Sequence, residues 1–366
     1  MTKPKILVTS AAGRTGAFTV QELLKKGFSV RAMVRRQDHR AKALAQAGAE
    51  VVVGDLFDMR DLRSALHGVQ RAYHCPPFAP NLLHGAALFA LAAQEARLEV
   101  VALMSGWNPH STHPSITTRE HWIANQLYRW MPSVDVVHIN PGLFAFVYLL
   151  GLPAITHFGM LAAPFGEGLN APPSNEDIAR VAAAVLADPH DHIGKSYRPT
   201  GPELISGHDA AQTLTTLLGR KVTYNPVSIK MFTKAALAQG FPLFEISQIR
   251  QYAIELQHGT FAIGAPTDHV ERITGSAPED FATIAGRYIA KPELINPGLS
   301  VGSKLEAYAF LFKMLTKRPP DLDRWERERH HPLLTNPVFA HDSSEWRATA
   351  THEKLNLLPD VSPTMP

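Results

Sequence analysis

The sequence predicts an α/β fold: a Rossmann-type, doubly wound parallel sheet, then a smaller C-terminal substrate domain and a C-terminal extension. Three observations predict it. Short apolar runs alternate with helical patterns as far as Ile139, the rhythm of a parallel sheet with helices on both faces. The runs are almost continuously apolar, as strands covered on both sides require. A turn of small residues, Ser10-Ala11-Ala12-Gly13, joins the first run to the first helix.

Residues 5–9 read as the first strand. Val20, Leu23 and Leu24 mark one face of a helix, and Gly27 stands where its C-terminal glycine belongs. Further strands are expected over 28–34, 50–53, 71–75, 99–104 and 134–139. Helices are expected over 41–47, 60–66, 82–97 and 118–130. Pro76-Pro77 stops the fourth strand, because proline has no N–H for the ladder. The rhythm weakens after Pro141. Ser174-Asn175-Glu176-Asp177 and Ser206-Gly207-His208-Asp209 have the spacing of capping boxes, each opening a helix. From 291 onward Pro, Arg and His dominate, with little apolar periodicity beyond Leu305 to Leu315. This reads as an extension wrapped over the core or partly disordered. The boundaries fall at 1–150, 151–290 and 291–366.

Composition narrows the function classes. Of 366 residues, 45% are hydrophobic and 19% charged, an ordinary globular mix. The net charge is +3 and no block of five cationic residues occurs, so no nucleic-acid partner is expected. A single cysteine, Cys75, permits no internal disulfide, which suits a reducing compartment. The residues after Met1 show no signal-peptide pattern, and a cytoplasmic location is expected. The most apolar later stretch, Leu143 to Phe165, is interrupted by Gly151, Pro153, His157 and Gly159. A spanning helix needs about 20 apolar residues in a row. The stretch therefore reads as buried loop and pocket wall, and no membrane partner is expected. The oligomeric state stays open, a homodimer included.

The segment from Thr9 to Gly16 carries the first chemistry. A pyrophosphate must approach main-chain N–H groups at the positive end of a helix, and only small residues permit this. Thr9, Ser10, Ala12, Gly13, Arg14, Thr15 and Gly16 are the expected contacts, with Gly16 letting the helix pack on the strand. Ser10 stands where the first glycine of such turns usually lies. An NAD site ends its second strand with Asp or Glu. This chain has Met33-Val34-Arg35-Arg36 instead. Two guanidinium groups suit a 2′-phosphate, so NADP(H) is the expected cofactor; the other reading is a solvated basic loop. Asp55 and Leu56 follow the third strand, where a carboxylate can meet the adenine amino group. Asp58 and Asp61 equally suit helix capping.

Taken together, Val8 to Gly16, Val30 to Arg35, Val53-Gly54-Asp55-Leu56, Asn140-Pro141-Gly142-Leu143-Phe144, Asp177 to Leu186, Gly194 to Tyr197 and Thr200 to Glu203 resemble the NmrA-like, atypical branch of the short-chain dehydrogenase/reductase superfamily. The resemblance runs over roughly residues 5–285. It implies a dinucleotide-binding fold, and either a reductase of quinones, phenylpropanoids and other enones or a non-catalytic redox sensor. Standard members of the superfamily use Tyr-x-x-x-Lys as proton donor and ribose anchor. That pattern is absent here. The NmrA-like branch often carries Lys-x-x-x-Glu on the same helix, and the matching positions are His121 and Asn125, with Thr117 at the tyrosine position.

His121 can act as a general acid or simply hydrogen-bond the ribose. Ser105, after the fifth strand, can donate its hydroxyl to substrate or cap the loop. Cys75, Pro76 and Pro77, with Pro141 of Asn140-Pro141-Gly142, are expected to border the cofactor, as are Ser105 and His121. No charge pattern activates Cys75. Trp107, Phe144, Tyr148 and Phe158 are expected to line an apolar pocket at the C-terminal edge of the sheet; core packing is the plainer alternative for each. His190-Asp191-His192 and His330-His331 lack a third ligand at a recognisable spacing, so no metal is expected. The reading is an NADPH-dependent oxidoreductase reducing an apolar carbonyl, quinone or enone. The alternatives are a non-catalytic NADP(H)-binding regulator and a non-redox isomerase or lyase with bound dinucleotide.

Overall fold

The computed structural model describes residues 3–295 and 299–351; residues 296–298 and 352–366 of the expected extension lie outside them. Strands and helices alternate as β1 (Lys5–Val8), α1 (Arg14–Lys25), β2 (Ser29–Val34), α2 (His39–Gln46), β3 (Glu50–Val53), α3 (Met59–Leu66), β4 (Arg71–His74), α4 (Leu82–Ala96), β5 (Val100–Met104), α5 (Ile116–Arg129) and β6 (Asp135–Ile139). Each expected element is present, its ends displaced by at most two residues, the usual uncertainty of helix and strand termini.

With β8 (Ser196–Tyr197) these strands make a seven-stranded parallel sheet, ordered β3-β2-β1-β4-β5-β6-β8. Alternate residues of each strand face opposite layers. Ile6 and Val8 turn toward a core holding Val20 and Leu23 of α1. Leu7 turns toward Leu62 of α3 and Phe89 of α4. Strand order reverses between β1 and β4. Doubly wound sheets open a crevice for ligands at that point, outside the carboxyl ends of the strands.

Beyond β6 the chain continues as α6 (Leu152–Phe158), β7 (Met160–Ala163), α7 (Asn175–Ala187), β8 (Ser196–Tyr197), α8 (Gly207–Leu218), β9 (Thr223–Pro226), α9 (Ile229–Gln239), α10 (Leu243–Gln257), α11 (His269–Thr274) and α12 (Phe281–Ala290). Ser174 caps α7, and Ser206 with Asp209 forms the capping box of α8. One expectation is corrected. The stretch 143–165 is not loop: it contains a short 3₁₀ turn, α6, and β7, which pairs in parallel with β9 as a second sheet. The interrupting residues sit at element ends, Gly151 before α6 and Gly159, in the left-handed region, after it.

The extension adds α13 (Lys304–Thr316), α14 (Leu322–Glu328) and α15 (Ser344–Thr351). It packs on the core: Trp346 and Ala350 are buried with Tyr148, Phe165 and Tyr288 in a second apolar cluster. Its anchor is the buried carboxylate of Glu255 on α10. One oxygen accepts from His113 Nε2 at 2.8 Å and Ala340 N at 2.6 Å; the other accepts from Thr260 and from His341 Nδ1 at 2.7 Å. Burial alone would raise this carboxyl, but the donors outweigh it and hold it at about 2. Arg119 of α5 also donates to the carbonyl of Pro332. No helix among the described residues is long and apolar enough to cross a membrane.

Candidate dinucleotide and reductase site

The turn after β1 is built around Ser10. Its backbone is left-handed, with φ of 49°, the region where glycine is usual because a Cβ costs about 1–2 kcal/mol there. Here the serine hydroxyl donates to the carbonyl of Cys75 at 2.9 Å. That bond ties the turn to the end of β4 and offsets the strain. The other two glycines are needed. A Cβ on Gly13 would lie 2.9 Å from the Ser10 carbonyl oxygen, and one on Gly16 would run into the same oxygen and lie 3.0 Å from Ala11 Cα. Gly13 supplies no side-chain cap to α1, whose first turn holds no acidic residue. By contrast, Asp38, Asp58, Ser115 and Ser174 cap α2, α3, α5 and α7. The positive end of α1 is thus left for an external anion.

A cavity of about 430 Å³ opens beside this turn, lined by Gly13, Arg35, Arg36, Arg40, Asp55 and Leu56 among others. Arg35 and Arg36 are exposed. The structure adds Arg40, which the sequence reading missed. Its Nη2 lies 2.6 Å from Asp38 Oδ2 and its Nη1 donates to the Ala12 carbonyl at 3.3 Å. The bond from Arg40 holds the Asp38 carboxyl down at about 2. The signal was present: Asp38 as N-cap places residue 40 in the first turn of α2, over the glycine turn. Asp55 is partly occupied by its own loop, where its Oδ1 accepts from Phe57 N and its N–H donates to Asp61. Asp58 is the cap of α3.

Two expected contacts carry structural duties instead. The Thr9 hydroxyl accepts from Cys75 N at 3.0 Å, and Thr15 Oγ1 accepts from the buried Tyr73 hydroxyl at 3.0 Å. Arg14 also points away: its Nε donates to the Ile295 carbonyl at 2.8 Å and its guanidinium lies 4.3 Å from the Phe146 ring centroid. The Cys75 thiol is pushed up to about 11 by burial, which leaves it protonated and unreactive. Pro76 is buried and Pro77 lines the cavity.

At the carboxyl ends of β5 and β6, Ser105 and Asn140 stand side by side. Asn140 donates from Nδ2 to the Gly106 carbonyl at 2.9 Å and Ser105 N donates to Ile139. Pro141, next in sequence, is buried. Ser105 Oγ, Asn140 Oδ1 and Thr117 Oγ1 are buried with no hydrogen-bond partner among the described residues. Unsatisfied buried groups are costly, and the neighbouring Ser105 and Asn140 oxygens are ones a polar ligand would satisfy. His121, half-buried one turn beyond Thr117 on α5, is pushed down to about 4 by burial. Its ring is neutral at pH 7. Beside it on the helix, Thr118 Oγ1 donates to Tyr252 Oη at 3.2 Å. Tyr252 belongs to α10 and faces Phe78, with ring centroids 6.3 Å apart; burial raises its hydroxyl to about 12. No sequence signal pointed to Tyr252.

The aromatic residues expected to line one pocket are not gathered. Trp107 is 2% exposed; its Nε1 donates to the Thr260 carbonyl at 3.0 Å and the Arg198 guanidinium lies 3.1 Å from its ring centroid. Tyr148 is buried between Phe165 and Phe281. Phe144 is half-buried against Phe146. Phe158 meets Tyr308 of the extension, with ring centroids 4.8 Å apart. Large aromatic side chains supply most of the buried area of a small second core, so Trp107 and Tyr148 act as core, and Phe158 seats α13.

Residues 2–122 match the NmrA-like family. The match ends just past His121, so it spans the glycine turn, the arginine cavity and the first part of α5. The chain is 27% identical to an NAD(P)H azoreductase of Xenophilus azovorans over 292 residues, 78% of this chain and 98% of that one. The triphenylmethane reductase of Citrobacter sp. superposes with a TM-score of 0.67 at 25% identity, covering 77% of this chain and 98% of the other. An NADPH-dependent quinone oxidoreductase of Escherichia coli, in complex with NADPH, shares the fold with a TM-score of 0.67 at 24% identity, over 77% and 99%.

Proposed function

We propose that this protein is an NADPH-dependent reductase of an apolar, conjugated acceptor such as a quinone, an azo or triphenylmethane dye, or an enone. The observation that carries the reading is the uncapped, glycine-lined end of α1 beside a cavity holding Arg35, Arg36 and Arg40. That arrangement suits a pyrophosphate at the helix end and a 2′-phosphate among the guanidinium groups. The likeness to an azoreductase and to dye and quinone reductases supports the acceptor class.

Bound NADPH would supply the hydride. The chain's residues do the rest. The α1 end and the three arginines hold the dinucleotide. His121, neutral at pH 7, hydrogen-bonds rather than donates a proton, which favours the ribose-anchoring role. Ser105 and Asn140 present polar atoms at the sheet edge. The Tyr252 hydroxyl accepts from Thr118 and keeps its own proton to give, so it replaces the missing Tyr of the superfamily as proton source. Loss of dihydronicotinamide absorbance with quinones, azo dyes and enones tests the reading. Turnover with NADPH supports it. Tight NADPH binding with no turnover of any acceptor would favour the regulator instead.

A further inference from the structure

Helix α13 carries apolar side chains on both its inward and its outward faces. Inward, Ala307 is buried, and Phe310 and Leu311 close a small apolar cavity of about 100 Å³ with Leu150 and Phe158. Outward, Leu305 is 78% exposed, Tyr308 54%, Phe312 72% and Leu315 59%. Spacings of three and four residues set these four in one stripe along the helix. A contiguous exposed apolar strip marks an interaction surface.

Charge identifies what covers it. Lys304, Lys313 and Arg318 are exposed on this helix or just past its end, with Lys317 half-buried; the adjacent α9 adds exposed Lys230. Between 304 and 318 the one acidic residue is Glu306, whose Oε2 is engaged by Ser303 N in the capping box at the helix start. We propose that this face docks on an anionic lipid surface. The helix lies in the interface plane with Leu305, Tyr308, Phe312 and Leu315 inserted and the cations over the headgroups. A second copy fits less well, because two-fold pairing would set the same cations against each other with a single acid per copy to offset them. The expectation of no membrane partner rested on the lack of a spanning segment; an interfacial helix needs none.

The test is sedimentation of the full chain with vesicles, independent of cofactor and substrate. The protein should pellet with vesicles of phosphatidylcholine containing about one-third phosphatidylglycerol and stay in solution with phosphatidylcholine alone, the binding weakening as salt screens the charges. Leu305→Ser with Phe312→Ser, and separately Lys313→Glu with Lys317→Glu, should each cut the bound fraction roughly tenfold or more. All four positions are off the buried core, and unchanged melting temperatures would confirm that the variants fold. A parent protein that stays in solution with anionic vesicles overturns the proposal. So does binding indifferent to both double variants. A dimer in light scattering that Phe312→Ser converts to monomer would assign the face to a second copy instead.

Discussion

The hydroxyl of Thr118, on α5, donates to that of Tyr252, on α10, at 3.2 Å. One side chain comes from the helix in which the resemblance to short-chain dehydrogenases places a catalytic tyrosine, and the other arrives 134 residues later. With Thr118 donating to it, the Tyr252 hydroxyl keeps its own proton, which the proposed reading gives to the substrate. Tyr252→Phe should lower turnover by about 10²-fold, as a lost general acid usually does, and leave NADPH affinity near the parent value. Equal turnover in the variant would remove Tyr252 from the mechanism.

His121 should behave differently. Its ring, pushed down to about 4 by burial, changes charge only as the pH falls through about 4. NADPH affinity and turnover should therefore show no break near pH 6.5 that His121→Ala abolishes. The same variant should raise the NADPH dissociation constant and leave turnover at saturation close to the parent. A His121-dependent inflection near pH 6.5 would restore the general-acid role.

The arginine cavity predicts cofactor choice. A hydrogen bond to a charged group contributes about 1.5–3 kcal/mol, so Arg35→Ala should weaken NADPH binding roughly tenfold or more and scarcely alter NADH. Arg40→Ala should act in the same direction, because its guanidinium is already positioned by Asp38. Fluorescence titration with both dinucleotides reads the difference; equal affinities in the parent protein would contradict it.

Gly16→Ala should abolish tight dinucleotide binding. The new Cβ would meet the Ser10 carbonyl and the Ala11 Cα, both main-chain atoms that cannot rotate aside. Either α1 moves off β1 or the left-handed Ser10 turn is lost. Calorimetry should show binding reduced beyond detection and a lowered melting temperature. Parent-like affinity would mean that the turn deforms cheaply.

Glu255→Gln should loosen the extension. The substitution removes a buried charge that His113, His341, Thr260 and Ala340 all address, a loss of about 3–5 kcal/mol for a broken buried pair. Denaturant unfolding and faster proteolysis within 330–351 would register it. The folded carboxyl lies below its ordinary value. Its contribution is therefore complete above about pH 4.5 and is lost as pH falls through about 2. The stability gap between parent and variant should narrow over that acid range.

Much of this molecule is decided locally, and the sequence by itself determined those parts. The parallel sheet follows from unbroken apolar runs such as Ile6 to Val8 and Val100 to Met104. The glycine turn follows from the small residues that a backbone approach requires, and the arginines at the end of β2 follow from simple adjacency. Ser174 and Ser206 start their helices because a cap acts within three residues. Tertiary structure decided what depends on distant segments meeting. Trp107 and Phe158 read alike as pocket aromatics, yet one is enclosed by Thr260 and Arg198 and the other seats α13. The Thr9 and Thr15 hydroxyls looked available until Cys75, just past β4, and Tyr73, within it, claimed them. Tyr252 reaches Thr118, and His341 reaches Glu255, only because folding brings together residues more than eighty positions apart. Periodicity and capping act over a few residues, whereas a side chain's partners across the core are set by how whole layers pack.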